Sequence, residues 1–107
     1  MSRLTFIVHL PAKPERYAEL EAAVRQVLRD MSSEADFIEC TLHRSQSDSN
    51  TLVVYESWSC SRDEFLAQHL SRPYRAGFER DLPERLAAPR RIEFLDDVEP
   101  ALRLSRK

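Results

Sequence analysis

Three side chains with useful chemistry lie in the segment VVYESWSCSRDEFLAQHL, residues 53–70. Glu56 offers a carboxylate, Trp58 a large apolar ring, and His69 an imidazole that exchanges protons near neutral pH. A carboxylate, an imidazole and an aromatic wall could together deprotonate and hold a small aromatic molecule. Whether they can meet depends on the elements that carry them.

A strand is predicted over TLVVYESW, residues 51–58, where β-branched and aromatic residues dominate. The alternation puts Val54, Glu56 and Trp58 on one face of this strand. It does not show which face meets the helices.

A helix should follow, because Ser61 and Glu64 form an S-x-x-E capping box. Phe65 and His69 are four residues apart, so His69 lies on or beside the apolar side of that helix. The carboxylate, the indole and the imidazole could then converge between sheet and helix. Tyr74, across Pro73, could place a phenol at the mouth of the same pocket.

The remaining elements complete a β-α-β-β-α-β order. Strands are predicted at residues 3–10, at 37–44 with Ile38, Cys40 and Leu42 on one face, and at 90–99. An amphipathic helix runs from Pro14 to Met31, and a further helix after Pro73 is broken up at Pro83 and Pro89. This is the split βαβ order of α+β, ferredoxin-like folds with a four-stranded antiparallel sheet.

A second copy of the chain is the expected partner. Two helices cover one face of such a sheet, yet the strands are apolar on both faces, which indicates an interaction surface. We expect a homodimer packed through the open sheet face.

Composition restricts the class of protein. The 107 residues predict one domain at residues 1–99 and a basic tail at 100–107. With a net charge of −2 and no basic stripe, nucleic acid is not an expected partner. No signal peptide or membrane span is predicted, so a cytoplasmic location is expected.

The cysteines and histidines show no metal-ligand spacing. Cys40 and Cys60 are predicted to be reduced, packed thiols, and we predict no metal and no other cofactor. The purely structural interpretation is that Glu56 and Trp58 belong to a satisfied core, in which a nearby arginine or His69 pairs with the carboxylate.

The segment LHRSQSDSNTLVVYESWSCSRDEFLAQHLSRPYRAGF resembles the antibiotic biosynthesis monooxygenase (ABM) domain family. The resemblance rests on Glu56-Ser57-Trp58 at the end of a strand, on His69-Leu70 in a helix, and on the turn at residues 71–74. It extends over about residues 3–99 and implies a dimeric ferredoxin-like α+β barrel.

Departures from the family narrow what the resemblance implies. The iron histidine of the haem-degrading relatives falls near Phe78, which disfavours haem degradation. Polyketide-tailoring relatives carry an asparagine where this chain has Val54. Asp36 stands where many members have a glycine.

The function expected from the residues and the resemblance is cofactor-independent oxygenation of a quinol or hydroxylated polycyclic aromatic. His69 would be the base, Glu56 would orient it, and Trp58 would be the wall. Tyr74, Val54 and Phe78 would contact the substrate. The alternatives are a non-oxygenase protein that binds or isomerises a small molecule, and a pure interaction domain.

Overall fold

The structure is a computed structural model that describes residues 3–106. Its strands are β1 (Leu4–Pro11), β2 (Phe37–Arg44), β3 (Thr51–Trp58) and β4 (Arg91–Leu95). Its α-helices are α1 (Tyr17–Met31), α2 (Arg62–Glu64) and α3 (Ala76–Arg85). Three further short segments are helical. Two are 3-10 turns, at Pro14–Arg16 and Pro73–Arg75, and the third is a π-helix at Phe65–His69.

The four strands form one antiparallel sheet in the order β2-β3-β1-β4. Every neighbouring pair is antiparallel, with Ile7 opposite Tyr55 across β1 and β3. This order is that of a ferredoxin-like α+β domain, so the predicted fold class is confirmed.

The core lies on the helix-facing side of the sheet. Along β1, buried residues on the helix-facing side alternate strictly with half-buried residues on the open side, as the sequence pattern predicts. They meet the buried stripe of α1, which includes Leu20, Val24 and Met31. Glu56 and Trp58 of β3 are also buried on this side, so the helices cover the face that carries the candidate site.

The predicted face of β2 is wrong at Ile38. The pairing register shifts between Phe37 and Glu39, so the alternation is interrupted there. Phe37, Cys40 and Leu42 pack against the core, whereas Ile38 is 39% exposed.

Two predicted boundaries also need correction. Helix α3 does not stop at Pro83 but continues through it to Arg85. Proline removes one backbone donor, and the ladder resumes when the Leu86 amide donates to the Leu82 carbonyl at 3.1 Å. Strand β4 ends at Leu95, because its partner β1 pairs only as far as Thr5 with it.

The chain beyond β4 runs without helix or strand over residues 96–106 and exposes Val98, Leu102 and Leu104. The predicted domain limits at 1–99 and 100–107 stay a prediction, and Met1, Ser2 and Lys107 lie outside the described residues. Within residues 3–106, none of the helices combines the length and apolar character needed to cross a lipid bilayer.

The predicted helix start at residue 61 is confirmed as a complete capping box. Ser61 Oγ accepts from the Glu64 amide at 3.1 Å, and Glu64 Oε1 accepts from the Ser61 amide at 2.9 Å. The α-helical turn is short and passes directly into the π-helix Phe65–His69, a wider turn that is often found at functional sites. This turn buries Phe65 and His69 together.

Replacing Ser61 with alanine should remove one half of this capping box. We expect the free energy of unfolding to fall by about 1 kcal/mol, because the Glu64 amide loses its acceptor. Urea denaturation would measure the change. The matched control is Ser49→Ala in the exposed β2–β3 turn, which should change stability by less than about 0.5 kcal/mol. Equal losses in both variants would contradict the capping role.

Candidate functional site

A cavity of about 40 Å³ lies between the sheet and the helices. Its lining is mostly apolar and includes Val54, Leu70 and Phe78. Among the described residues that line it, Glu56 is the one carboxylate, and Arg75 and Arg90 are the cations. An apolar cavity with a few convergent polar groups is the usual form of a small-molecule site.

Glu56 lies in the core with only 5% of its surface exposed. Its Oε1 atom accepts a hydrogen bond from Trp58 Nε1 at 3.0 Å. Burial raises the pKa of the Glu56 carboxyl, against the opposing effects of this hydrogen bond and of the Arg75 charge. Glu56 is therefore a better proton acceptor than an ordinary glutamate once it is ionised.

Arg75 supplies a buried positive charge to the same cavity. Its Nη1 atom contacts Met31 Sδ at 3.3 Å, and its Nη2 atom donates to Glu79 at 3.1 Å. The Nε–H group is buried and has no hydrogen-bond partner among the described residues. An unpaired buried donor is costly, so a ligand oxygen that accepted from it would gain binding energy.

Glu79 balances this charge from the outside of the cavity. It receives two hydrogen bonds from Arg90, the shorter at 2.8 Å. Burial acts to raise the pKa of Glu79, but the charges and hydrogen bonds of Arg90 and Arg75 outweigh it and lower the pKa. Glu79 is therefore ionised at neutral pH and holds both guanidinium groups in place.

Trp58 connects the cavity to a second polar cluster. Its indole is fully buried and packs edge-on against Phe37 and Phe65, with ring centroids 5.3 Å away in each case. Its N–H group binds Glu56, and its ring lies 4.6 Å from the ring of His69. The indole is thus a spacer between the carboxylate and the imidazole.

Two carboxylates hold His69, and neither is Glu56. His69 Nδ1 lies 3.3 Å from Glu34 Oε2, and His69 Nε2 lies 3.1 Å from Asp36 Oδ2. The imidazole is only 2% exposed, so both ring nitrogens are engaged inside the protein.

Glu34 is the centre of this second cluster. Arg72 Nε donates to its Oε2 atom at 2.7 Å, and the Tyr74 hydroxyl donates to the same atom at 3.2 Å. Burial acts to raise the pKa of Glu34, but the hydrogen bonds from His69 and Arg72 prevail and lower it. Burial and the Glu34 charge raise the pKa of Tyr74 to about 12, so its phenol stays protonated.

The structure divides the predicted site residues into two groups. Val54, Glu56 and Phe78 line the cavity. Trp58, His69 and Tyr74 lie outside its lining, and the Tyr74 hydroxyl is bound to Glu34 rather than open to a ligand. The proposed roles of all six residues stay predictions.

Sequence reasoning missed Arg75, Glu34 and the partner role of Asp36. Asp36 Oδ2 lies 3.1 Å from His69 Nε2, a contact that its position in a loop does not indicate. Cys60 also lies close: one ligand atom each from Asp36, Cys60 and His69 fall within 4.8 Å of one another. These three residues could hold a metal ion.

The fold defines a class: ferredoxin-like α+β domains, here with a cavity between the sheet and its helices. The structure superimposes on Rv0793 from Mycobacterium tuberculosis with a TM-score of 0.80 at 21% identity, covering 91% of this chain and 96% of that one. PA3566 from Pseudomonas aeruginosa gives a TM-score of 0.80 at 24% identity, covering 92% and 96%. A conserved protein from Methanosarcina mazei Go1 gives 0.78 at 18% identity, covering 89% and 92%.

The family model for antibiotic biosynthesis monooxygenase matches residues 3–80, which is most of the domain. The chain therefore belongs to the antibiotic biosynthesis monooxygenase family, as its sequence pattern indicated. No curated protein matches the sequence.

Replacing Glu56 with glutamine should make stability less dependent on pH. In the folded protein the Glu56 pKa is raised by burial, so its contribution to stability is complete below the ordinary glutamate pKa and is lost as pH rises through the raised value. The variant should gain stability relative to the natural protein as pH rises from about 4 to 8.

Denaturant titrations across that pH range would measure this difference. Glu15→Gln, at an exposed carboxylate, is the control and should show no such trend. A stability difference that stays constant with pH would contradict a raised pKa at Glu56.

Proposed function

We propose that this protein is a cofactor-independent monooxygenase that acts on an electron-rich aromatic, such as a quinol or hydroxylated polycycle. One observation carries the proposal: one apolar cavity holds both a buried carboxylate with a raised pKa and an Arg75 N–H group that has no partner among residues 3–106. Family membership supports the reaction class.

Glu56 would accept the proton of a substrate hydroxyl. Its raised pKa brings it closer to that of the group it deprotonates, which favours the transfer. The Arg75 Nε–H group would donate a hydrogen bond to the oxyanion that forms. This buried donor would thereby gain an acceptor. The low-polarity lining would strengthen both interactions.

The deprotonated substrate would supply the electrons. It would pass one electron to O₂, and the resulting radical would combine with superoxide to form a C–O bond. When the reacting carbon is a ring CH₂ group, loss of water from the peroxide leaves a carbonyl. One oxygen atom enters the product and the other leaves as water, so no external reductant is needed.

In this proposal His69 positions Glu56 instead of acting as the base. Its nitrogens are engaged by Glu34 and Asp36, and its ring packs on Trp58, which donates to Glu56. The imidazole would fix the indole, and the indole would fix the carboxylate. Tyr74, bound to Glu34, would belong to the same support.

Substrate binding would require the cavity to enlarge, since about 40 Å³ holds only a few water molecules. Arg90 lines both this cavity and a surface groove of about 550 Å³. If the Arg90 side chain moved away from Glu79, the groove and the cavity would join. A planar ring could then lie in the groove with its reacting edge beside Glu56.

Oxygen uptake by metal-depleted protein with quinols and hydroxyanthrones tests this function. We expect uptake above autoxidation and an oxygenated product, and a decrease of at least about 100-fold in kcat for Glu56→Gln, because the base is removed. Glu15→Gln should retain full activity. Uptake equal to autoxidation across the panel, or an active Glu56→Gln variant, would refute the proposal.

The alternative is a protein that binds or isomerises a small molecule without using O₂. The pairing of a buried base with a buried cationic donor favours it, because these two groups suffice to move a proton between carbon and oxygen. Protein-dependent exchange of substrate C–H for deuterium under nitrogen, with no oxygen uptake in air, would identify this alternative.

We also propose that the protein is a homodimer packed through the open sheet face. Ile7, Val53 and Tyr55 lie at the centre of this face and are half-buried in a single protomer. The exposed apolar side chains of the segment after β4, such as Leu102 and Leu104, add surface that a second copy could cover. An isologous contact would bring two such faces together.

Tyr55→Asp should disrupt this dimer by placing a charge at the centre of the face. We expect the dimer dissociation constant to rise by at least about tenfold, since a desolvated unpaired charge is costly. Light scattering across a dilution series would measure it. Ala18→Asp on the exposed side of α1 should leave the dimer intact. A natural protein that is monomeric at every concentration would refute the proposal.

A further inference from the structure

We propose that Asp36, Cys60 and His69 form a binding site for a borderline divalent transition metal such as Zn²⁺. None of the three lines the cavity, so a metal bound here would not contact a ligand in the cavity, although His69 also packs against Trp58. The residues come from three different segments: the loop before β2, the loop after β3, and the end of the π-helix. No spacing along the chain connects them.

The ligand atoms are close to the geometry that zinc requires. One atom from each residue lies within 4.8 Å of the other two, and His69 Nε2 is 3.1 Å from Asp36 Oδ2. In a tetrahedral site with metal–ligand distances of about 2.0–2.3 Å, ligand atoms are separated by about 3.3–3.8 Å. Shifts of about 1 Å in the positions of the ligand atoms would therefore bring them to the separations of a tetrahedral site.

His69 lies between two carboxylates, Glu34 at Nδ1 and Asp36 at Nε2. Glu34 can accept the proton of Nδ1, which is the arrangement that places the lone pair of Nε2 toward Asp36. A neutral imidazole can donate to only one of two flanking carboxylates, so an oxygen then faces a nitrogen lone pair at 3.1 Å. A cation between Nε2 and Oδ2 turns this contact into two coordinate bonds.

Glu34 supplies the outer support that metal-binding histidines usually have. Its Oε2 atom lies 3.3 Å from the far ring nitrogen of His69 and is itself fixed by Arg72 and Tyr74. A carboxylate behind the imidazole selects the tautomer and the ring orientation that coordinate a metal.

The two loops that carry the other ligands are already joined. The Ser59 amide donates to the Asp36 carbonyl at 2.7 Å, and the Ser59 hydroxyl donates to the same oxygen at 3.2 Å. Cys60 follows directly and is buried, whereas the Asp36 side chain is 41% exposed. A metal could thus reach the site from solvent, and its fourth position would be open to water.

The donor set selects the class of metal. A thiolate and an imidazole favour zinc, cobalt or copper over magnesium and calcium, which prefer oxygen ligands. Three protein ligands with an open fourth position are typical of zinc sites that bind a further molecule. The bound metal would also link the π-helix to both loops.

Titration of the purified protein with Co²⁺ tests the site, because cobalt replaces zinc and reports its ligands by absorption. We expect a sulfur-to-cobalt charge-transfer band at one equivalent of metal, displaced by Zn²⁺. Cys60→Ser should abolish the band. Cys40→Ser removes the other thiol, which lies on β2 and is not one of the three grouped ligands, and should retain the band.

Glu34→Gln should weaken metal binding by about 10–100-fold without removing the band, because it perturbs the support and not a ligand. Should Cys60→Ser fail to fold, Asp36→Asn at the exposed ligand serves instead and must weaken Co²⁺ binding at least tenfold. No charge-transfer band in the natural protein, a band that survives Cys60→Ser, or unchanged binding in Asp36→Asn would overturn the proposal.

Discussion

The hydrogen bond from Trp58 Nε1 to Glu56 Oε1 is the interaction on which the candidate site depends. A carboxylate in an apolar core is costly unless a donor or a charge compensates it. Both residues project from the same face of β3, two positions apart, so strand geometry alone brings the indole to the carboxylate. The E-x-W pattern thereby creates a buried carboxylate with a fixed donor, and the Arg75 charge adds further compensation.

A second constraint comes from the distribution of charge around this pair. Arg75 lines the cavity and also donates a hydrogen bond to Glu79. Glu79 accepts a further hydrogen bond from Arg90. Because Glu79 keeps its negative charge, it holds one end of the Arg75 guanidinium, while the Nε–H group has no partner in the described part of the chain. A buried donor without a partner is costly, so a ligand oxygen that accepted from it would be stabilised. In the proposed function, this donor would favour an oxyanion over a plain hydrocarbon.

Most helices and strands were predictable from the sequence, because each follows from the spacing of apolar and capping residues a few positions apart. Strand β3 and the capping box at Ser61 follow alternation and spacing that residues a few positions apart determine. The bulge that exposes Ile38 and the continuation of α3 through Pro83 depend on tertiary pairing, so no local pattern shows them. The partners of His69 were missed for the same reason: Glu34 and Asp36 belong to a loop, where no period indicates which side chain turns inward.

The proposed base and the proposed metal site are mechanically connected through one ring. The imidazole of His69 packs 4.6 Å from the indole of Trp58, whose N–H group holds Glu56. A metal on Nε2 would restrict rotation of the imidazole, and dense packing by Phe37 and Phe65 leaves the indole little room to respond independently. Metal binding would then order the carboxylate without touching it. Such an arrangement would let one domain keep a metal for rigidity while the oxygen chemistry itself depends on the substrate's own electrons.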